Sequence, residues 1–418
     1  MSHAGDPTGL GHSTVHGDAT DVVIVGGGAA GLSLAHALTA PGSARPLSVA
    51  LVDTPRPSLR PPERTWCFWQ EGPGDFDDAL VASWRRLRVH GRDGEVVEGE
   101  LDTLRYRMLR SDGFEALVGS RLAALPHVRL VEATAETVRN VPGGAEALCV
   151  TAGGDRIALR GRHLFDSRPA RSLPPARSTL LQHFRGWFVR TPAPAFDDEV
   201  VELMDFRVPQ PAHGLAFGYV LPLGPQDALV EYTQFSRTPL SRPEYEAALE
   251  QYSRDVLRLG PFEVRSVEAG VIPMTDARFA RRVGAAVHRI GAVGGATRPA
   301  TGYTFSAVQR QSKAVAAALR DGKEVRLPAP HGRRALAMDA VMLRALDTGR
   351  VNGPDFFTRL FRRLPAERVL RFLDGRTGLW EDLLLGFATP VGPMLRTAAE
   401  LPFLPQKPFP LTREESTR

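Results

Sequence analysis

Apolar and polar positions along the 418-residue chain change period several times, and each change predicts an element. Residues 22–25 are an unbroken β-branched run, the pattern of a strand covered on both faces. A glycine turn follows, then small apolar residues suited to a helix over 29–40, a break at Pro41-Gly42, and a second apolar run over 47–52 that ends at Asp53. Prolines 55, 57, 61 and 62 make 55–63 an extended loop. Phe114, Leu117, Val118 and Leu122 recur at helical spacing and predict a helix over 112–125. Strands are expected at 128–133, 147–151, 156–159 and 162–166. Residues 217–223 and 228–236 alternate with period two around a Gly-Pro-Gln-Asp turn and read as a hairpin. A helix is expected over 241–259, a strand over 287–293, and then a second glycine-rich turn and an alanine-rich helix over 304–320. From 331 onward the pattern is helical. This order predicts an α/β fold: a Rossmann-like domain with two dinucleotide turns, an inserted antiparallel sheet for substrate, and a helical C-terminal region. The expected boundaries are a disordered tail at 1–20, a discontinuous dinucleotide domain at 21–175 and 265–325, a substrate sheet at 176–264 and a helical region at 326–418.

Gly26, Gly28 and Gly31 fit the spacing G-x-G-x-x-G. The first permits a tight turn, the second a close approach of a pyrophosphate, and the third close packing of helix on strand. The helix N-terminus at Ala29 and Ala30 offers free N–H groups to the phosphates. Asp53 ends the second strand, where a carboxylate can bind a ribose. The late turn, GGATRPATGY from Gly294 and Gly295 to Tyr303, stands some way down the chain and suits FAD, which needs a second turn for its ribityl chain and ring.

Composition narrows the field. Two cysteines, Cys67 and Cys149, make neither a disulfide framework nor a metal quartet, so a reducing cytoplasmic setting is expected and no metal. The net charge of +5 is carried almost wholly by arginine, with lysine only at 313, 323 and 407. The arginines are dispersed, which argues weakly for an anionic partner and against nucleic acid. No stretch reaches the roughly 18 apolar residues of a membrane span.

The motifs resemble those of the flavin-dependent lycopene cyclases, of the bacterial lycopene β-cyclase type. The late turn Gly294-Gly295 through Pro299, Thr301, Gly302 and Tyr303 is similar to theirs. So are TWCFW (65–69), YRMLRSDGF (106–114), FDSRP (165–169), MDFRVPQ (204–210), YVLPL (219–223), LVEYT (229–233) and FFTRLFRRLPAERVLRFLDG (356–375). Two positions depart from the family: Tyr232 replaces an acid after the strand glutamate, and Arg298 stands where a histidine is usual. The resemblance implies cyclisation of the linear ends of lycopene, or a similar linear polyene, to β-ionone rings. That reaction is an isomerisation without net oxidation, using reduced FAD with NAD(P)H as reductant. It also places Arg107, Asp166, Thr301 and Gly302 among the cofactor contacts. Flavin monooxygenases and isoprenoid reductases share the fold but carry Gly-Asp at the late turn, and this chain has Gly-Gly.

Protonating an alkene needs a neutral, aimed acid in a dry place. Glu231 lies in an apolar alternating strand, with Leu229, Glu231 and Thr233 on one face and Val230 and Tyr232 on the other. Desolvation there keeps a carboxyl protonated near neutrality, fit for a general acid. Asp205 is a second candidate acid or a strand-end cap. Asp166 and Arg168 touch the flavin or pair with each other. Trp66, Phe68, Trp69 and Tyr232 are candidates for the substrate cavity, a ring face being worth about 2 kcal/mol to a dry cation. The stretch 355–373 interleaves Phe356, Phe357, Leu360, Phe361, Leu370 and Phe372 with arginines. It is expected to lie on an anionic membrane, placing the protein peripherally on the inner face of the cell membrane, or else to pack as a lid on the flavin domain.

Overall fold

The computed structural model describes residues 15–16, 19–41, 46–170 and 172–410. The expected disorder over 1–20 falls almost wholly outside these residues, as does the end of the helical region, 411–418. Within the tail, β1 (Val15–His16) pairs with residues 157–158. In chain order there follow β2 (Thr20–Val25), α1 (Ala29–Thr39), β3 (Val49–Asp53), β4 (Thr65–Glu71), β5 (Leu80–Trp84), β6 (Arg86–His90), β7 (Val96–Glu100), β8 (Leu104–Arg110), α2 (Ser111–Ala123), β9 (Val128–Val141), β10 (Gly144–Thr151) and β11 (Arg156–Asp166). The second half continues with β12 (Thr179–Arg190), β13 (Val200–Asp205), β14 (Leu215–Pro222), β15 (Asp227–Ser236), α3 (Arg242–Gln251), β16 (Glu263–Thr275), β17 (Val287–Arg289), α4 (Phe305–Arg320), α5 (Arg333–Asp347), α6 (Gly353–Arg363), α7 (Ala366–Leu373), α8 (Leu379–Ala388) and α9 (Val391–Glu400).

A parallel sheet, β17–β11–β2–β3–β9, forms the first layer. Its central residues Val22, Val23 and Ile24 are wholly buried, because α1, α2 and α4 cover one face and an antiparallel ribbon the other. Two long strands make that ribbon. β9 and β11 leave the parallel sheet and continue with β10. Gly161 is the switch residue, pairing with Ala145 on one side and Thr20 on the other. The sequence pattern changes there, so β11 reads as two strands although it is one.

The second sheet runs β16–β12–β15–β14–β13–β6–β7 and is antiparallel except where β13 meets β6. The expected hairpin, β14 and β15, lies at its centre. Its edges come from outside the expected segment 176–264: β6 and β7 precede it, and most of β16 follows it. In β6 exposed-side arginines alternate with buried Leu87 and Val89, and they pair across to β7, as Arg86 does with Glu98. One face of this sheet packs on α3; the other meets α5, α6, α7 and a small sheet, β4–β8–β5. The helix expected over 241–259 ends earlier, passing at Tyr252–Val256 into a π turn.

Candidate active site

The first glycine turn forms as its spacing predicts. Gly26 has φ +101°, and a side chain there would strike Ser167 Oγ. A Cβ at Gly31 would overlap the carbonyl of Gly26, so the third glycine seats α1 on the strand. Gly28 differs: nothing lies within 4 Å of where its side chain would be. It precedes α1, whose N-terminus carries no side-chain cap, so Ala29 and Ala30 present open N–H groups beside that space. The Gly27 N–H donates to Asp53 Oδ1 at 3.0 Å, which holds the carboxylate at the turn. These features fit a dinucleotide pyrophosphate.

The late turn closes on the first. Gly291 lies so near α1 that a side chain there would meet the methyl of Ala30 at 2.8 Å. Gly294 ends a short 3-10 turn, and Gly295 is left-handed with φ +79°. Gly302, φ +73°, approaches Gln182 of β12, and Thr301 Oγ1 donates to the Leu373 carbonyl at 3.4 Å. Arg298, 1% exposed, is an internal strut: its Nε stands 2.8 Å from Asp339 on α5. Burial outweighs that cation and pushes the Asp339 carboxyl up to about 7.

Two expected cofactor contacts are engaged elsewhere. Arg107 Nη1 holds Asp77 at 2.5 Å and also donates to the Gly72 carbonyl. Asp166 takes a two-pronged bond from Arg168 at 2.8 and 2.9 Å, and between them Ser167 buttresses Gly26. Asp166, Ser167 and Arg168 thus shape the turn from behind.

Glu231 is buried between the second sheet and the small sheet. Register aligns Tyr219, Glu231, Gly186 and Glu268 in one row across β14, β15, β12 and β16. Facing this row, Thr65, Cys67 and Trp69 project from β4, and Tyr106 and Arg110 from β8. Tyr106 joins its hydroxyl to Tyr219 at 2.7 Å and to Tyr303, just past the late turn, at 3.1 Å. Trp69 stacks on Tyr106 and meets Tyr303 edge-on. The late glycine turn and the acid therefore share one aromatic wall. Burial drives the Glu231 carboxyl up to about 8, with help from the nearby Glu268 and against a 2.5 Å hydrogen bond donated by Thr233. Glu268 is also raised by burial, but it accepts from Thr65 Oγ1 at 2.8 Å and lies 3.7 Å from Arg110. Burial likewise lifts the Cys67 thiol to about 12, leaving it unreactive.

Several expected site residues lie elsewhere. Trp66 and Phe68 are on the far face of β4, packed with Phe114 and Phe305 among the helices of the first layer. Only Trp69 of the three joins Glu231, because successive strand residues point to opposite faces. For the same reason Tyr232 faces α3 and donates to Gln234. Asp205 is on that α3 side too, saturated by Arg207 and by the Tyr252 hydroxyl at 3.0 Å, so it is not a partner of Glu231. Glu268, Thr65 and the tyrosine cluster were not anticipated. Glu268 was detectable in principle, as a lone acid in the small, apolar run Val267–Ile272. The three tyrosines each sit inside a motif already quoted.

The stretch 355–373 is not a surface. Phe356, Phe357, Leu360, Phe361 and Leu370 of α6 and α7 are buried against β6, β7 and β14, and their arginines face outward, Arg362 to Glu95 at 3.1 Å. The helices cap the second sheet, and the end of α7 also packs on the flavin-type domain, where the Leu373 carbonyl accepts from Thr301 and the Phe372 carbonyl from Arg298 of the late turn. The exposed apolar side chains come later, on α8, α9 and the turn beyond: Leu379, Trp380, Leu383, Phe387, Leu395 and Phe403. Among the described residues no helix is long and apolar enough to cross a membrane.

Fold and site together define the class: a dinucleotide-binding α/β fold with paired glycine turns, shared with flavoproteins. Similar solved structures include a flavoprotein/dehydrogenase from Cytophaga hutchinsonii, with a TM-score of 0.62 and 13% identity, covering 92% of this chain and 99% of that one. A geranylgeranyl bacteriochlorophyll reductase-like protein from Thermoplasma acidophilum (0.57, 14%, 93% and 97%) and p-nitrophenol 4-monooxygenase from Pseudomonas putida (0.56, 14%, 93% and 98%) are also similar. At these identities the likeness is one of fold. Within that fold, the chain belongs to the lycopene cyclase protein family, whose sequence profile matches residues 21–399. This bears out the resemblance carried by the motifs. No curated protein sequence matches the chain.

Proposed function

We propose that the protein cyclises the linear ends of lycopene, or of a similar linear polyene, to β-ionone rings by acid catalysis without net oxidation. One observation carries this reading: a carboxyl, Glu231, buried beside an aromatic wall that reaches the late glycine turn and held neutral up to about pH 8. Its proton passes to the terminal double bond, the neighbouring double bond attacks the resulting cation, and a proton leaves the new ring. Trp69, Tyr106, Tyr219 and Tyr303 exclude water from the cation and offer it their ring faces. Burial raises the proton affinity of all three tyrosines, so they remain neutral throughout. FAD, bound by Gly28, Ala29, Ala30, Asp53, Gly294 and Gly295 and kept reduced by NAD(P)H, would supply negative charge that favours the cation.

The same reading includes peripheral attachment to an anionic membrane, on the cytoplasmic inner face, where such a hydrocarbon dissolves. Support comes from the α8–α9 ridge. Trp380, Phe387 and Phe403 are 80%, 71% and 87% exposed. The acids of that segment are engaged, Asp382 with Arg334, Glu400 with Arg344 and Glu381 with the Gly378 N–H at the start of α8. Exposed Arg376, Arg396 and Lys407 have no ion-pair partner among the described residues and suit anionic headgroups.

Anaerobic incubation with lycopene, FAD and NADPH tests the activity. The expected product is an isomer of unchanged mass absorbing at shorter wavelength. A product that gains hydrogen, or one that forms only with oxygen, rejects cyclisation in favour of a reductase or a monooxygenase.

A further inference from the structure

We propose that Glu268 is the second carboxylate of the site: it takes the proton that leaves the new ring and returns it to Glu231. This rests on the cyclisation reading above. The argument begins with register. Gly186 on β12 lies directly between Glu231 on β15 and Glu268 on β16, all on one face. Two strand spacings put the glutamate backbones about 10 Å apart, a gap that two inward-leaning side chains can span. The residue between them is the one type with no side chain to block it. A Cβ at Gly186 would come within 3.3 Å of Glu231 Cβ and 2.8 Å of Leu229 Cδ1.

The surroundings assign the roles. Glu268 has the Thr65 hydroxyl at 2.8 Å, the Arg110 guanidinium at 3.7 Å and the charge of Arg64 nearby. Among the described residues Glu231 has no cation in contact, and the neutral Thr233 hydroxyl donates to it. The other titratable groups facing the pair, Cys67, Tyr106, Tyr219 and Tyr303, are buried and held neutral. Two desolvated carboxyls that feel each other's charge resist ionising together, so below about pH 8 they keep one proton between them, and it rests on the acid that lacks the cation.

The cycle then balances. The Glu231 O–H bond breaks as a C–H bond forms on the terminal alkene carbon. The ring closes with a new C–C bond. A ring C–H bond breaks, its electron pair becomes the ring double bond, and the proton goes to the Glu268 carboxylate. Transfer across the Gly186 gap restores the starting state, and nothing is oxidised or reduced.

Infrared titration of the protonated-carboxyl band, without substrate, is the first test. In the wild-type protein a band abolished by Glu231→Gln should titrate near pH 8. Glu268→Gln removes the neighbouring charge and should move that midpoint to lower pH, shift the alkaline limb of turnover with it, and cut turnover by about 100-fold or more. Glu268→Asp keeps the charge but withdraws it by one methylene; its midpoint should stay in place while turnover falls at least about tenfold. An unmoved midpoint in Glu268→Gln, or full turnover in Glu268→Asp, overturns the proposal. If lycopene is not cyclised but the midpoint moves, the carboxylate pair stands and the substrate reading fails. If lycopene is cyclised and the midpoint is unmoved, the reverse holds.

Discussion

Glu231 shows how a single residue's setting determines chemistry. Desolvation, aided by the charge of Glu268, outweighs the Thr233 hydrogen bond and lifts its proton affinity from the ordinary 4.5 to about 8. Activity that depends on its proton should fall as pH rises through about 8, with little loss on the acid side of neutrality. Stability should follow a linked course. Below 4.5 the carboxyl is protonated whether the chain is folded or not. Between 4.5 and about 8 only the folded protein keeps the proton, so the contribution of Glu231 to stability declines as pH rises across that window and levels off above it. Glu231→Gln removes this dependence. Its thermal midpoint should gain on that of the wild-type protein from pH 5 to about 8 while its cyclisation is abolished. A constant difference in midpoint across those pH values would place the shifted group elsewhere.

At the scale of elements, the helical tail contains two amphipathic pairs with opposite fates. The apolar face of α6 and α7 completes the core of the second sheet. Phe357 is only 3% exposed, and Phe357→Ala should cost about 3–5 kcal/mol, read from denaturant unfolding. α8 and α9 bury Leu385 and Ala388 against the core, but Leu379, Trp380, Leu383, Phe387 and Leu395 on their outer side stay exposed among the described residues. Trp380→Asp combined with Phe387→Asp should leave unfolding unchanged but abolish co-sedimentation with vesicles containing anionic lipid. Retained sedimentation in that double variant would show that another surface binds. Hydrophobic periodicity is sharp in α6 and α7 and weaker in α8 and α9, where apolar residues run nearly round α8.

For the whole molecule, acid is the weak side. Burial lowers the proton affinity of His183, His288 and His331 to about 4 each, from an ordinary 6.5. They lie in separate layers: His183 in the second sheet, bonded to Tyr245 and Ser236; His288 on β17; and His331 against the late turn, bonded to the Ala296 carbonyl. Unfolding lets each take up a proton once pH drops below 6.5. The joint contribution of these histidines to stability should therefore fall from pH 6.5 towards 4, against the opposite course of Glu231 and Asp339. Replacing all three histidines by glutamine should flatten that limb in thermal melts; a limb of undiminished slope would assign acid sensitivity to other groups.

Local chemistry was legible in the chain itself. Gly26, Gly28 and Gly31 with Asp53, the late turn, and the apolar alternation around Glu231 depend on neighbours a few residues away, and each formed where its spacing predicted. Trp66, Phe68, Trp69 and Tyr232 were expected in one cavity, although period two separates Trp69 from Trp66 and Phe68, and Tyr232 from Glu231; it does not tell which face meets the flavin-type domain. That choice depends on strand pairing between distant segments. It brought β16 beside β12 and so supplied, in Glu268, the acid that Tyr232 does not provide. It also buried the aromatic face of α6 and α7 while leaving that of α8 and α9 uncovered. Sequence alone determined which side chains travel together on a strand or helix, because backbone geometry sets that period. Tertiary structure decided which of those faces meet, because burial is settled over the whole chain at once.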